Sequence, residues 1–157
     1  DHLICWNRPG CSGLVLEQHF PGSDLYFLCI PAQHYAMFAQ LTAARVALGA
    51  GDGEAATAAL QAAIDAAPDP ALASLAALRL ARVQFDRSDL EAAARTIDAH
   101  AGNEAFAGDF AALRGDIAAA EGRVDDARAA YRTALDAGAG NARLIELKLQ
   151  DLPTDDA

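Results

Sequence analysis

The stretch "LRGDIAAAEGRVDDARAAYRTAL", residues 113–135, decides the fold of this protein. It contains the tripeptide Arg114-Gly115-Asp116, which is known as an adhesion signal where a loop displays it. It also contains alanines and a tyrosine at helical spacing, together with glycines at positions 115 and 122. Two interpretations are open on the stretch alone, namely a displayed recognition loop or a part of a helical framework.

Two other parts of the chain align with this stretch. Gly51, Ser88 and Gly122 each lie in a short turn between helical segments, at separations of 37 and then 34 residues. A small residue precedes each turn by seven positions, an alanine follows it by five, and a larger apolar residue follows it by nine. In that order, the aligned positions are Ala44, Ala81 and Gly115; Ala56, Ala93 and Ala127; and Leu60, Ile97 and Tyr131.

A period near 34 residues with two helices per unit is typical of the tetratricopeptide repeat. The small residue and the alanine face each other where the two helices cross, because a larger side chain would force the helices apart. The bulkier residue fills the space to the next pair. This pattern places Gly115 inside a helix crossing, so it disfavours the adhesion interpretation.

The pattern predicts an all-α fold, a tetratricopeptide-like solenoid of three helix pairs plus a C-terminal capping helix. Glycines and prolines end the predicted helices, and Gly138 is a predicted C-cap. We assign residues 33–152 to the repeat domain and residues 153–157 to a tail. The predicted helices cover residues 35–50, 54–67, 71–85, 90–100, 104–122, 124–138 and 142–152.

Composition and charge exclude several classes of function. The chain has 157 residues, of which 53% are hydrophobic and only 6% aromatic, and its net charge is −10. Such an acidic chain lacks the basic surface that nucleic-acid binding requires, so no nucleic-acid partner is expected. Anionic lipid surfaces should repel it. No run of about 18 apolar residues predicts a membrane span.

Residues 1–32 form a leader of different composition. They contain all three cysteines, Cys5, Cys11 and Cys29, which with His19 and His34 make a candidate zinc set. The set lacks the tight Cys-x2–4-Cys spacing of structural zinc sites, so we predict no metal and no cofactor. Within it, "GLVLEQHFPGSDLYFLC" resembles linker text with protease sites, and the leader is either native or vector-derived.

Four segments carry a resemblance to a known family. They are "YAMFAQLTAARVALGAGD", "ASLAALRLARVQFDRSDLEAAARTID", "FAALRGDIAAAEGRVDDARAAYRTALDAG" and "ELKLQDL". Over residues 35–152 the chain resembles the periplasmic region of the YfgM-type family, the ancillary subunit of the SecYEG translocon.

The resemblance implies a localisation and a set of partners. Members of the family have a short cytoplasmic end, one transmembrane helix and a repeat domain on the periplasmic side of the bacterial inner membrane. The implied partners are the translocon, a membrane-anchored periplasmic chaperone and unfolded client segments. Association with the membrane would then depend on such a transmembrane anchor, which we do not expect within this sequence.

Carrying over the usual groove positions of such repeats gives a candidate partner-binding groove, apolar with two arginines at one end and acidic at the other. Lys148 is expected to lie outside it, which would leave no lysine clamp for a terminal carboxylate. The alternative for Leu41, Leu75 and Leu78 is a place in the core. The candidate groove residues are Phe38, Leu41, Arg45, Leu48, Leu75, Leu78, Arg82, Phe85, Asp109 and Asp116, with Ala112 and Ala119 beside the last two.

No catalytic constellation is recognisable in residues 35–157, and we predict a non-enzymatic interaction module. His100 falls at a packing position, and Asp125 and Asp126 suit a helix N-terminus. The alternative function is a generic repeat scaffold that acts by self-assembly, for example as a homodimer, or as an adaptor in another envelope complex. A metal or thiol enzyme built on the leader is a third, weaker hypothesis.

Overall fold

A computed structural model describes residues 32–153, with side chains from residue 34 onwards. The leader's cysteines, its linker-like stretch and residues 154–157 lie outside the described part of the chain. Within that part, the secondary structure consists of helices and contains no strand. The helices are α1 (Ala32–Gly49), α2 (Gly53–Asp65), α3 (Pro70–Asp86), α4 (Leu90–His100), a 3-10 turn (Glu104–Phe106), α5 (Ala107–Ala120), α6 (Val124–Asp136) and α7 (Ala142–Asp151).

The helices pack as consecutive pairs. α1 packs against α2, α3 against α4, and α5 against α6, while α2 also packs on α3 and α4 on α5. The final helix, α7, packs against α6 without a partner of its own. This arrangement confirms the predicted all-α architecture of three helix pairs and a capping helix.

Each pair turns through the same backbone conformation. Gly51, Ser88 and Gly122 have φ values of 76°, 63° and 74°, in the left-handed region. The amide that follows each of them donates 2.9 Å back to the carbonyl of the first helix, as in a Schellman motif. The donor and acceptor pairs are Asp52 to Ala47, Asp89 to Gln84 and Arg123 to Ala118.

Aspartate side chains cap the N-termini of α2, α3 and α4. The Asp52 carboxylate accepts from the Ala55 amide at 2.9 Å, and Asp89 repeats this contact one repeat later. Such caps satisfy an amide that has no partner inside the helix and stabilise it by about 1 kcal/mol. In the third repeat the equivalent position is Arg123, which makes no side-chain cap.

Side chains from three successive helices build each part of the core. One cluster combines α1, α2 and α3, the next combines α3, α4 and α5, and the last combines α5, α6 and α7. Each pair therefore buries its apolar face against the first helix of the next, as a solenoid requires. All nine aligned packing positions are buried: Ala44, Ala81, Gly115, Ala56, Ala93, Ala127, Leu60, Ile97 and Tyr131.

The fifth predicted helix, residues 104–122, is wrong at its start. The Asn103 side chain accepts from the Ala105 amide at 3.0 Å and begins a separate 3-10 turn. Phe106 then has φ −116°, outside the helical range, so α5 begins only at Ala107. The interruption precedes Gly108, which is buried in the first turn of α5.

Candidate partner-binding surface

The positions that follow the small packing residues define one side of the repeats. Arg45, Arg82 and Asp116 directly follow Ala44, Ala81 and Gly115 in sequence. One residue rotates the side chain by about 100° around a helix, so these three leave the crossing in the same direction. The two arginines are exposed and Asp116 is half-buried.

On α1 the predicted stripe is partly open. Phe38 is 50% exposed and Leu48 is 48% exposed, and both lie within about two helical turns of Arg45 on the same side of the helix. Leu41 belongs instead to the first core cluster, so its assignment to the groove is wrong. It lies three residues before Ala44, close enough around the helix to turn into the crossing.

On α3 the equivalent stripe is more enclosed. Leu78 is buried in the second core cluster beside Phe110, so its assignment to the groove is also wrong. Leu75 and Phe85 are half-buried, and Phe85 packs partly on that same cluster. Arg82 remains exposed between them. We use the name inner face for Phe38, Arg45, Leu48, Leu75, Arg82 and Phe85.

On α5, Asp116 of the predicted acidic end already has partners within the protein. The Asp116 carboxylate accepts from the Tyr131 hydroxyl at 2.7 Å and from Lys148 Nζ at 2.6 Å. Lys148 also lies 5.9 Å from the centre of the Tyr131 ring. The expectation that Lys148 stays away from the groove positions is therefore wrong, and the charge of Asp116 is balanced within the protein. Asp109, Ala112 and Ala119 are half-buried.

The environment of Tyr131 suppresses its ionisation. Burial in the third core cluster raises the pKa of the Tyr131 phenol, and the hydrogen bond to the Asp116 carboxylate raises it further. A phenolate there would lie next to another negative charge. The hydroxyl therefore stays a donor and holds the carboxylate towards Lys148.

The two arginines of the inner face differ from most others in the described residues. Within residues 34–153, neither Arg45 nor Arg82 forms an ion pair or a side-chain hydrogen bond. By contrast, Arg114 pairs with Asp98 at 2.7 Å and Arg128 with Asp125 at 2.9 Å. Two guanidinium groups at repeat-equivalent positions, without a partner among residues 34–153, can each bind an external carboxylate.

The described residues give no separate sign of a metal or membrane site. Between residues 32 and 153 no three His, Cys, Asp or Glu side chains are grouped as metal ligands. None of the helices in that range has the length and apolar character needed to cross a bilayer.

His100 lies at the end of α4, where its backbone carbonyl accepts from the Ser74 hydroxyl at 3.2 Å, which ties α4 to α3.

Comparison with known proteins agrees with this repeat architecture. The family model for the tetratricopeptide repeat-like domain matches residues 30–154. The chain belongs to this family. Its three helix pairs and its glycine or serine turns are thus those of a tetratricopeptide repeat-like domain.

Curated relatives of this repeat-like domain carry a common name. An ancillary SecYEG translocon subunit of Haemophilus influenzae is 35% identical over 119 residues, and one of Aggregatibacter actinomycetemcomitans is 34% identical over 119 residues. Each match covers 75% of this chain and 58% of the relative. The resemblance to the translocon subunit is therefore confirmed, while the chain spans little more than half the length of these relatives. Neither these names nor the family name denotes an enzyme.

The sequence analysis did not predict the contacts of two residues in the repeat-like domain. Gly108 lies so close to Ala139 that a methyl group on it would be 2.6 Å from the Ala139 amide nitrogen. Lys148 lies on the side of α7 that faces the third repeat. Its place among the apolar residues Ile145, Leu149 and Leu152 is the signal that could have revealed an inward role.

Proposed function

We propose that the domain is a non-enzymatic interaction module on the periplasmic side of the bacterial inner membrane. It links the SecYEG translocon to a periplasmic chaperone or to client segments. The similarity to ancillary translocon subunits supports the choice of the complex. The observation that carries the proposal is the inner face, where Phe38 and Leu48 remain about half exposed around Arg45, which has no ion pair within residues 34–153.

The exposed aromatic and aliphatic groups favour a protein partner. Burial of apolar surface stabilises a complex by about 25 cal/mol per Å2, and exposed phenylalanine and leucine side chains offer such surface. Arginine beside them adds directional hydrogen bonds. Repeat solenoids bind extended or helical segments on surfaces of this kind.

Site-specific photocrosslinking in membranes tests this function. A photoreactive residue replaces Phe38 in the full-length, membrane-embedded protein, and a matched one replaces the exposed Arg132 on α6. We expect translocon or chaperone adducts from position 38 and few from position 132. Equal adducts from both positions, or none from position 38, would contradict the proposed role of the inner face.

Self-assembly is a second candidate function, favoured by another side of α1. Tyr35 is 62% exposed and Val46 is 68% exposed, and their spacing of about three helical turns puts both on one face. A second copy could cover that face. Sedimentation of the Val46→Glu variant tests this function: we expect a dimer of the parent chain to dissociate, and a monomeric parent chain would exclude self-assembly.

A further inference from the structure

Charge is divided between the first and second helices of the repeats. In the first two repeats the first helices, α1 and α3, contain three arginines and a single acidic residue, Asp86, at the end of α3. The second helices, α2 and α4, contain four acidic residues and one arginine, Arg95. The side of the repeats that carries the inner face is therefore positive, although the chain as a whole has a net charge of −10.

In the third repeat the acidic residue at the position of the two arginines is neutralised. Asp116 occupies the position equivalent to Arg45 and Arg82, and a free carboxylate there would make that end acidic. Lys148 of α7 forms an ion pair with it at 2.6 Å, and only 19% of the Asp116 side chain is exposed. The capping helix thus balances Asp116, whereas Asp109, two helical turns earlier on α5, is half-buried.

From these two observations we infer that the segment bound by the inner face is both acidic and apolar. The inference rests on the proposed function and adds the chemistry of the partner. Phe38, Leu48 and Leu75 supply apolar contact, and Arg45 and Arg82, which have no ion pair within residues 34–153, are donors beside them. Two carboxylates of a partner segment would each find a guanidinium, while the acidic second helices repel basic segments.

A peptide fits these features better than an anionic membrane surface. Acidic residues such as the helix-capping Asp52 and Asp89 are spread over the repeats, and a flat bilayer contacts more of a protein than one narrow face. The chain has a net charge of −10, so an anionic bilayer repels it at distances within the Debye length of physiological salt. A peptide is narrow enough to contact the inner face alone.

Fluorescence anisotropy with three matched peptides tests the inference on the purified chain. The labelled peptides share identical leucine, phenylalanine and alanine positions and differ only at two sites, which are both glutamate, both glutamine or both lysine. We expect the glutamate peptide to bind best and the lysine peptide worst. Raising the salt concentration should weaken the glutamate peptide most, because salt screens exposed charges.

Charge reversal locates the interaction. We expect the double variant Arg45→Glu/Arg82→Glu to weaken the glutamate peptide about tenfold, since each exposed ion pair contributes little but reversal adds repulsion. The same variant should bind the lysine peptide more tightly than the parent chain does. The matched control, Arg132→Glu on α6, should leave all three peptides unchanged, and circular dichroism confirms that each variant is folded.

Several outcomes overturn the inference. Equal binding of the glutamate and glutamine peptides removes the charge selection, and it leaves the proposed function standing if position 38 still forms adducts in membranes. Failure of all three peptides to bind, or an effect of Arg132→Glu equal to that of the double variant, also overturns it. Binding to phosphatidylglycerol vesicles that is lost in the double variant would assign the arginines to lipid instead.

Discussion

Gly115 of α5 lies directly against the ring of Tyr131 of α6, at the point where the two helices cross. A methyl group placed on Gly115 would be 2.5 Å from both Cδ1 and Cε1 of that ring. The ring cannot move away freely, because Tyr131 is buried and its hydroxyl is bonded to Asp116. The glycine of the Arg-Gly-Asp tripeptide is therefore a packing residue inside a helix.

The Gly115→Leu substitution should lower the free energy of unfolding. The new side chain must displace Tyr131 or separate α5 from α6, and overpacking of this kind costs about 1–3 kcal/mol. Urea unfolding followed by circular dichroism measures the loss. Gly49→Ala is the matched control, because a methyl group on Gly49 would meet no atom within 4 Å. An unchanged unfolding midpoint for Gly115→Leu would mean that the repeat alignment is wrong.

The Gly108→Ala substitution should be costly although it adds only a methyl group. That methyl would lie 2.6 Å from the amide nitrogen and 2.8 Å from the Cα of Ala139. Backbone atoms cannot rotate away as a side chain can, so α5 must shift, at a cost of about 1–3 kcal/mol. Gly140→Ala, whose methyl would meet only an oxygen of Asp109 at 3.9 Å, is the comparison. Equal stability of both variants in urea would contradict the close approach.

The sequence predicted the repeat framework better than the partner surface. Turn residues and small packing residues recur at fixed offsets, so one alignment identifies the positions of every helix pair. Leu41 and Leu78 were misassigned because periodicity defines a wide apolar stripe but does not separate its centre from its edge. The Gly108 and Lys148 contacts bring together residues about 30 positions apart in sequence. An apolar stripe can place Lys148 on the inward side of α7, but the partner atoms of both contacts depend on distances between helices that no local pattern encodes.

Ser88→Gly should stabilise the fold. Ser88 is the only non-glycine with a positive φ among the described residues, and its counterparts Gly51 and Gly122 have the same conformation. The left-handed region costs an L-residue about 1–2 kcal/mol, and glycine avoids this strain. Part of the gain is offset because glycine loses more backbone entropy on folding than serine does. We expect a net gain of about 0.5–1 kcal/mol in urea. The reverse change, Gly51→Ser, should lose a similar amount, and a loss in both variants would contradict this explanation.

Lys148→Met should loosen the capping helix. The change keeps most of the apolar side chain but removes the ion pair with Asp116, so the carboxylate retains only the Tyr131 hydroxyl. We expect the free energy of unfolding to fall by about 1 kcal/mol. Relative to the parent chain, amide hydrogen exchange should accelerate in α7 and stay unchanged in α1. Arg143→Met, which removes an exposed pair with Glu146, is the control. Unchanged exchange in α7 would show that Ile145 and its apolar neighbours hold the helix without Lys148.

Stability should fall at alkaline pH because of Tyr131. Its pKa is raised in the folded protein by burial and by Asp116, whereas an unfolded tyrosine titrates near 10. The folded state thus binds the proton more tightly than the unfolded state does. The contribution of Tyr131 to the free energy of unfolding is therefore fully present below about pH 10 and is lost as the pH rises further. Urea unfolding at about pH 8 and about pH 11 measures this decline. Tyr131→Phe should reduce it, whereas Tyr35→Phe, at an exposed position, should not. The same decline in the parent chain and in Tyr131→Phe would place the alkaline transition elsewhere in the protein.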